Sequence, residues 1–136
     1  MAQELEEKIK KAKVLVIEDD EMLVKFLKDE LQEAGISSVE TAVYGKEALE
    51  KIKKKKPDLI LLDLILPRMD GFEFLEIIRN NEKTKDIPII IMTNLTHGED
   101  KRKAFQLGVD DYLVKSECDP EEIIERVVRV LRKHLN

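Results

Sequence analysis

The chain has 136 residues, of which 43% are hydrophobic and 39% charged, with a net charge of −5. That length suits one domain with a substantial core, and so rich a charged share belongs on the surface of a soluble globule rather than in a disordered chain. The acidic balance argues against nucleic acid or an anionic membrane as partner, the lone Cys118 excludes an internal disulfide and fits a reducing cytoplasm, and no run reaches the roughly 20 apolar residues of a membrane span.

Residues 1–11 (MAQELEEKIKK) have no apolar run of the kind a secretory signal needs. They read as a frayed, solvated leader, because so short a helix is marginal alone. The alternative is a helix carrying Glu4/Lys8, Glu6/Lys10 and Glu7/Lys11 at i,i+4 spacing. From residue 12 onward, apolar runs of strand length alternate with amphipathic stretches of helix length. Val14–Ile17 is the first run, followed by Glu18-Asp19-Asp20-Glu21, where four acids crowd a strand end. Asp20 and Glu21 suit a helix cap and first turn, and Met22, Leu23, Phe26, Leu27 and Leu31 form the helical stripe, with Gly35 as its stop. A weaker run at Ser38–Ala42 precedes a helix marked by Ala48, Leu49 and Ile52, whose lysines 53–56 fit a solvated helix end. Leu59–Leu62 is the third run, ending in Asp63, and Phe72, Leu75 and Ile78 mark the next helix, stopped at Arg79-Asn80-Asn81. Ile87–Met92 is the fourth, ending in Thr93. Thr96-His97-Gly98-Glu99 has capping-box spacing for a helix that ends at Gly108. Tyr112–Val114 is the fifth, ending in Lys115. Asp119-Pro120-Glu121-Glu122 combines a cap, a first-turn proline and an acid, and opens a helix with Ile123, Ile124, Val127, Val130 and Leu131 on one face. His97 and His134 have no partners that suggest catalysis and read as surface residues, and Cys118 as an inert loop thiol.

Apolar runs without polar alternation indicate strands covered on both faces, hence a parallel sheet. Five β-α units with short connections imply an α/β fold of the flavodoxin-like, doubly wound type. Its five-stranded parallel sheet would have order 2-1-3-4-5, with helices on both faces. In that architecture ligands bind at the carboxyl ends of the strands. Glu18, Asp19, Asp63, Thr93 and Lys115 are the polar residues at those ends, at intervals matching two, one and one β-α turns. Three carboxylates cannot comfortably ionise together in a partly dry crevice, so one stays protonated or a cation joins them. Oxygen ligands with room for water suit Mg²⁺. An acid beside such an ion can serve as nucleophile toward phosphorus, while Lys115 and the Thr93 hydroxyl can meet phosphoryl oxygens.

Glu18-Asp19, PDLILLDLILPRMDG with Asp63 and the Leu66-Pro67…Met69-Asp70-Gly71 turn, Thr93, and GVDDYLVK ending at Lys115 together resemble the receiver domain of bacterial response regulators in two-component and phosphorelay systems. The resemblance spans residues 12–136. It implies that Asp63 accepts a phosphoryl group from a phosphohistidine on a sensor histidine kinase or histidine phosphotransfer protein. It implies Mg²⁺ held by Asp19, Asp63 and the main-chain carbonyl of Ile65, with Glu18 acting through water. It also implies a switch in which Thr93 moves, Tyr112 turns inward, and the face made by the fourth helix, fifth strand and fifth helix is remodelled for an unknown target protein or for a phosphorylation-dependent dimer of an otherwise monomeric chain. The protein would then be cytoplasmic, with no nucleic acid or membrane partner, and would catalyse only its own phosphotransfer and dephosphorylation. The sequence stops after the fifth helix, which suits a stand-alone receiver, an excised fragment of a larger regulator being the alternative.

Two positions depart from the family pattern. Ser116 follows Lys115 where proline in a cis peptide is usual, which predicts a trans bond or a strained cis one. Asn94 follows Thr93 where a small residue is usual, and would either narrow access to Asp63 or donate to the phosphoryl group. These departures keep open a pseudo-receiver that binds partners without phosphorylation. A phosphatase of the haloacid-dehalogenase type is disfavoured, because Ile65 stands where that chemistry places its second acid.

Overall fold

The computed structural model describes residues 2–136. Its elements are α1 (Ala2–Lys11), β1 (Lys13–Ile17), α2 (Glu21–Glu33), β2 (Ser38–Ala42), α3 (Gly45–Lys54), β3 (Leu59–Leu62), α4 (Gly71–Arg79), β4 (Ile89–Thr93), α5 (Gly98–Gln106), β5 (Asp111–Val114), a single 3₁₀ turn (Lys115–Glu117) and α6 (Pro120–Leu135). The strands form one sheet in the order β2-β1-β3-β4-β5, every pair parallel. This is the flavodoxin-like arrangement that the alternating runs imply.

The apolar runs are unbroken because successive residues serve two different cores. Leu15, Ile17, Ile60, Leu62, Ile89 and Ile91 face a layer with Ala48, Phe74, Leu75 and Ala104 of α3, α4 and α5. Val14, Val16, Leu59, Leu61, Ile90 and Met92 face the other, with Leu27, Leu31, Val127 and Leu131 of α2 and α6. A strand residue pointing to either face is therefore buried, and polar alternation has no place. The two edge strands, β2 and β5, have half-exposed positions, and β2 has the most, which is why its run reads weakly.

Local chemistry sets most boundaries. Asp20 caps α2, its Oδ1 accepting from Met22 N and Leu23 N. Gly35, at φ 106, ends that helix in the left-handed region where a side chain is strained. Gly71 begins α4 so close to the preceding loop that a Cβ would lie 2.4 Å from Leu64 Cα, so only glycine fits. Three expectations need correction. β4 starts at Ile89 rather than Ile87, since Ile87 N is spent on Thr84 O and Pro88 has no N–H to give. α5 is capped by His97, not Thr96, and no capping box forms; Glu99 pairs with Arg102 instead. Asp119 does occupy the cap of α6, but its side chain makes no cap bond.

The leader is not frayed. α1 lies against α6, with Ile9 buried and Leu5 packed on the same apolar layer. None of the expected i,i+4 pairs forms; Glu6 pairs with Arg132, Lys8 donates to Leu135 O, and Ser37 ties to Lys10 O. Docking on a partner helix supplies what a ten-residue helix lacks alone.

Candidate functional site

Sheet register builds the site. Ile17 lies opposite Leu62, and Thr93 opposite Val114. The residues that follow, Glu18, Asp63 and Lys115, therefore emerge together at the carboxyl edge. Asp63 N donates to Ile17 O at 3.1 Å, which locks the two acidic strand ends side by side. Glu18 is 1% exposed and Asp63 4%, whereas Asp19 faces solvent.

One ammonium joins the buried acids. Lys115 Nζ donates to Glu18 Oε1 at 2.5 Å and to Asp63 Oδ2 at 2.7 Å. The other oxygens are also engaged. Glu18 Oε2 accepts from Asp19 N and Asp20 N, and Asp63 Oδ1 from Ile65 N, each at 3.0 Å. Burial pushes the Glu18 carboxyl above the usual carboxylate value, against the lowering pull of Lys115 and of the Asp20 N–H. Burial alone would lower the Lys115 ammonium; its bonds to Asp63 and Glu18 outweigh this and hold it above the usual lysine value.

Glu18, Asp19 and Asp63 each bring a carboxylate oxygen within 4.8 Å of the others. With one ammonium against three carboxylates, the crevice lacks positive charge, and its donors are all hard oxygens with one ligand open to solvent. That donor set fits a divalent cation of the Mg²⁺ kind.

Thr93 ends β4, fully buried, its Oγ1 3.5 Å from the Leu95 N–H. Among the described residues its hydroxyl makes no hydrogen bond to Asp63 or Lys115, so it shares the crevice edge without being bonded to the acids. Tyr112 is buried and turned inward, its hydroxyl donating to Leu95 O at 2.8 Å. Burial raises its phenol above the usual value, with Asp100 and Asp63 adding to the effect. The Lys115–Ser116 bond is trans, as are all peptide bonds among the described residues. Asn94 turns its Oδ1 to the neighbouring loop, where it accepts from Ser116 N at 2.9 Å. No local pattern signals this pairing, because a side chain in one loop meets a main-chain amide in another only once β4 and β5 are side by side. Ile65 stands at the rim, 54% exposed, and Met22 is 84% exposed on α2 beside the acidic loop.

Cys118 follows the 3₁₀ turn, partly buried against the α6 layer. Burial pushes its thiol up, and Glu122 and Asp119 push the same way. Its proximity to a helix start therefore brings no activation. Alkylation by iodoacetamide at pH 7 is expected to run slower than for free cysteine, and the pH–rate midpoint to lie above that of the free thiol. A midpoint below it would contradict this reading.

A model of the response regulator receiver domain family matches residues 14–128. This chain belongs to that family. The receiver is 39% identical over 121 residues to the DNA-binding dual master transcriptional regulator RpaA of Synechocystis, an alignment covering 89% of this chain and 49% of that protein. It is 40% identical to the response regulator ArlR of Staphylococcus saprophyticus, over 89% of this chain and 53% of that one. The receiver thus spans about half the length of the curated relatives it matches. Among solved structures, the receiver domain of a Francisella response regulator superposes with a TM-score of 0.80 at 36% identity, covering 93% of this chain and all of that one. The chemotaxis protein CheY4 of Vibrio cholerae gives 0.79 at 37% identity, covering 88% of this receiver and 98% of that chain. No helix of the described residues is long and apolar enough to cross a membrane.

Proposed function

We propose that this receiver is a phosphorylation-dependent switch whose acceptor is Asp63, charged by a phosphohistidine on a sensor histidine kinase or histidine phosphotransfer protein. The observation that carries this reading is the seating of Asp63. It is a buried carboxylate fixed on one oxygen by Ile65 N and on the other by Lys115, within carboxylate reach of the open Asp19. An oxygen of Asp63 forms the new P–O bond as the P–N bond to the imidazole breaks, and the bonding pair leaves with the ring nitrogen. The ammonium of Lys115 has three N–H groups, two of them spent on Glu18 and Asp63, so one remains for a phosphoryl oxygen. Thr93 supplies a hydroxyl from the next strand end, by a small movement of its loop. Glu18 holds Lys115 in place, and its own second oxygen is held by the Asp19 and Asp20 amides. Asp19, Asp63 and the Ile65 carbonyl would hold Mg²⁺, with Glu18 acting through water; the bound ion would supply positive charge against the phosphoryl oxygens.

The output we assign to the α5-β5-α6 face, where Thr93 and Tyr112 report the state of Asp63 to a target protein or to a second copy of the chain. A group placed on Asp63 acts there as a local charge that biases two arrangements of one loop. Ile65 offers no second acid for hydrolysing external substrates, which favours a switch over a phosphatase.

The experiment is incubation with Mg²⁺ and a small phosphodonor, followed by intact mass, with Asp63→Asn as control. A phosphoryl adduct on the wild type alone is expected; no adduct on either, or equal adducts on both, would overturn the assignment. A further expectation concerns Ile65 and Leu95, whose apolar surface flanks the crevice and hinders an attacking water. Ile65→Asn should shorten the lifetime of the phosphorylated protein severalfold, timed by loss of the adduct, and an unchanged lifetime would remove Ile65 from that role.

A second reading is favoured by one contact. Tyr112 is held inward by the Leu95 carbonyl, which involves no group of the acidic crevice. A face fixed in this way would bind its partner regardless of phosphorylation, as a pseudo-receiver does. Equal partner binding by wild-type protein and Asp63→Asn would select that reading.

A further inference from the structure

The β4–β5 ladder ends at Thr93 opposite Val114, one residue before Lys115. Beyond it the chain enters a 3₁₀ turn of three residues, a weak element with poor hydrogen-bond geometry. Yet Lys115, on a flexible four-carbon stem, must hold its ammonium against two buried acids contributed by other strands. Something has to fix the backbone at the root of that stem. The tie present is Asn94 Oδ1 accepting from Ser116 N at 2.9 Å, which extends the β4–β5 pairing past the end of the ladder by means of a side chain. Because the group facing it is an N–H donor, the oxygen side of the Asn94 amide must point there.

We propose that Asn94 is a positioning residue that fixes Lys115 for phosphoryl transfer, acting through the Ser116 amide. The proposal rests on the reading of Asp63 as acceptor. Asn94 and Ser116 form a matched pair: a proline at 116 would have no N–H to offer, and a small side chain at 94 would leave that N–H unclaimed. The same tripeptide carries two more groups of the site. Thr93 ends the strand before Asn94, and the Leu95 carbonyl after it takes the Tyr112 hydroxyl. The loop after Thr93 is thus tied at two successive residues, Asn94 to Ser116 just beyond β5 and Leu95 to Tyr112 on β5. A shift of Thr93 toward Asp63 must carry the root of Lys115 with it, so the two phosphoryl-binding groups move as one.

The test combines three readouts on the 136-residue chain. Asn94→Ala should slow phosphorylation by a small phosphodonor about fivefold, the worth of one hydrogen bond. It should also speed hydrogen exchange at the Ser116 amide and raise acetylation of Lys115 by acetic anhydride, mapped by peptide mass. Asn94→Asp keeps the acceptor and should keep that amide protected. In a Ser116→Pro background, where the donor is gone, Asn94→Ala should cause no further slowing. An unchanged rate in Asn94→Ala, an equal slowing in both backgrounds, or a Ser116 amide that exchanges in the wild type as fast as a free loop amide would each overturn the proposal. If the wild type accepts no phosphoryl group, the acceptor reading fails by itself. Lys115 acetylation then decides the positioning: faster in Asn94→Ala upholds the tie, unchanged removes it.

Discussion

Replacing Lys115 with alanine is expected to lower stability at pH 7 by about 3–5 kcal/mol, the cost of breaking a buried ion pair on one side. Glu18 and Asp63 are almost fully buried, and the Lys115 side chain that joins them is itself only 18% exposed, so solvent screens the interaction little. Without Lys115 the two carboxylates face each other with backbone amides as their remaining donors. Burial already pushes Glu18 toward its protonated form, and removing Lys115 takes away one of the influences that oppose it. Phosphorylation should fall on the order of 100-fold, as for the loss of a donor aimed at developing negative charge. Urea denaturation in metal-free buffer checks the first figure and intact mass after phosphodonor treatment the second. Added Mg²⁺ should raise the stability of Lys115→Ala by more than that of the wild type, since a cation returns charge the variant lacks. Equal stability of the two proteins without metal would mean that the pair contributes nothing to the fold.

The second large effect lies at the opposite end of the sheet. Arg79 closes α4 and donates to four main-chain carbonyls. Nε reaches Leu107 O at 2.8 Å, Nη1 reaches Lys85 O at 2.8 Å and Ile87 O at 2.9 Å, and Nη2 reaches Gly108 O at 3.0 Å. One guanidinium thus joins the loop before β4 to the loop before β5. Arg79→Ala leaves four carbonyls without this partner and is expected to cost about 3 kcal/mol, since bonds to charged donors are stronger than neutral ones and water replaces only part of them. The melting temperature should drop by roughly 10 °C, from the usual scaling for domains of this size. Arg79→Lys should recover little, because an ammonium cannot reproduce the planar fork. Phosphoryl uptake on Asp63 should survive in protein kept below its melting point. Loss of uptake without loss of stability would mean that Arg79 reaches the site by a route the geometry does not contain.

Arg79 also marks where sequence reading stops. At a helix end followed by Asn80-Asn81 it looks like any solvated cation matched to a helix dipole. Its role depends on the loop before β5 folding back to meet the loop that follows α4, and no local pattern encodes that. The N-terminal leader is a similar case. Its length alone indicates fraying, and only the apolar strip of α6 beneath Ile9 and Leu5 makes it a helix. The Thr96 capping box failed for a related reason, since the spacing was present but the chain entered the helix one residue later, at His97.

The fold, and the meeting of Glu18, Asp19, Asp63 and Lys115 at one sheet edge, are legible in the sequence. Unbroken apolar runs record strands buried on both faces, and the polar residue ending each run records the carboxyl edge of the sheet, because both are one-dimensional consequences of a covered parallel sheet. That Glu18, Asp19, Asp63 and Lys115 share a site followed from their places at those ends. What only the tertiary structure decided is how the members are held. Lys115 divides its ammonium between two acids, Asn94 takes the Ser116 amide, Tyr112 rests on Leu95, and Arg79 gathers four carbonyls. Most of these are contacts between segments far apart in the chain, set by sheet register and loop path. Strand ends can be read from local pattern, but a hydrogen bond between two of them forms only when the packed sheet brings donor and acceptor within reach.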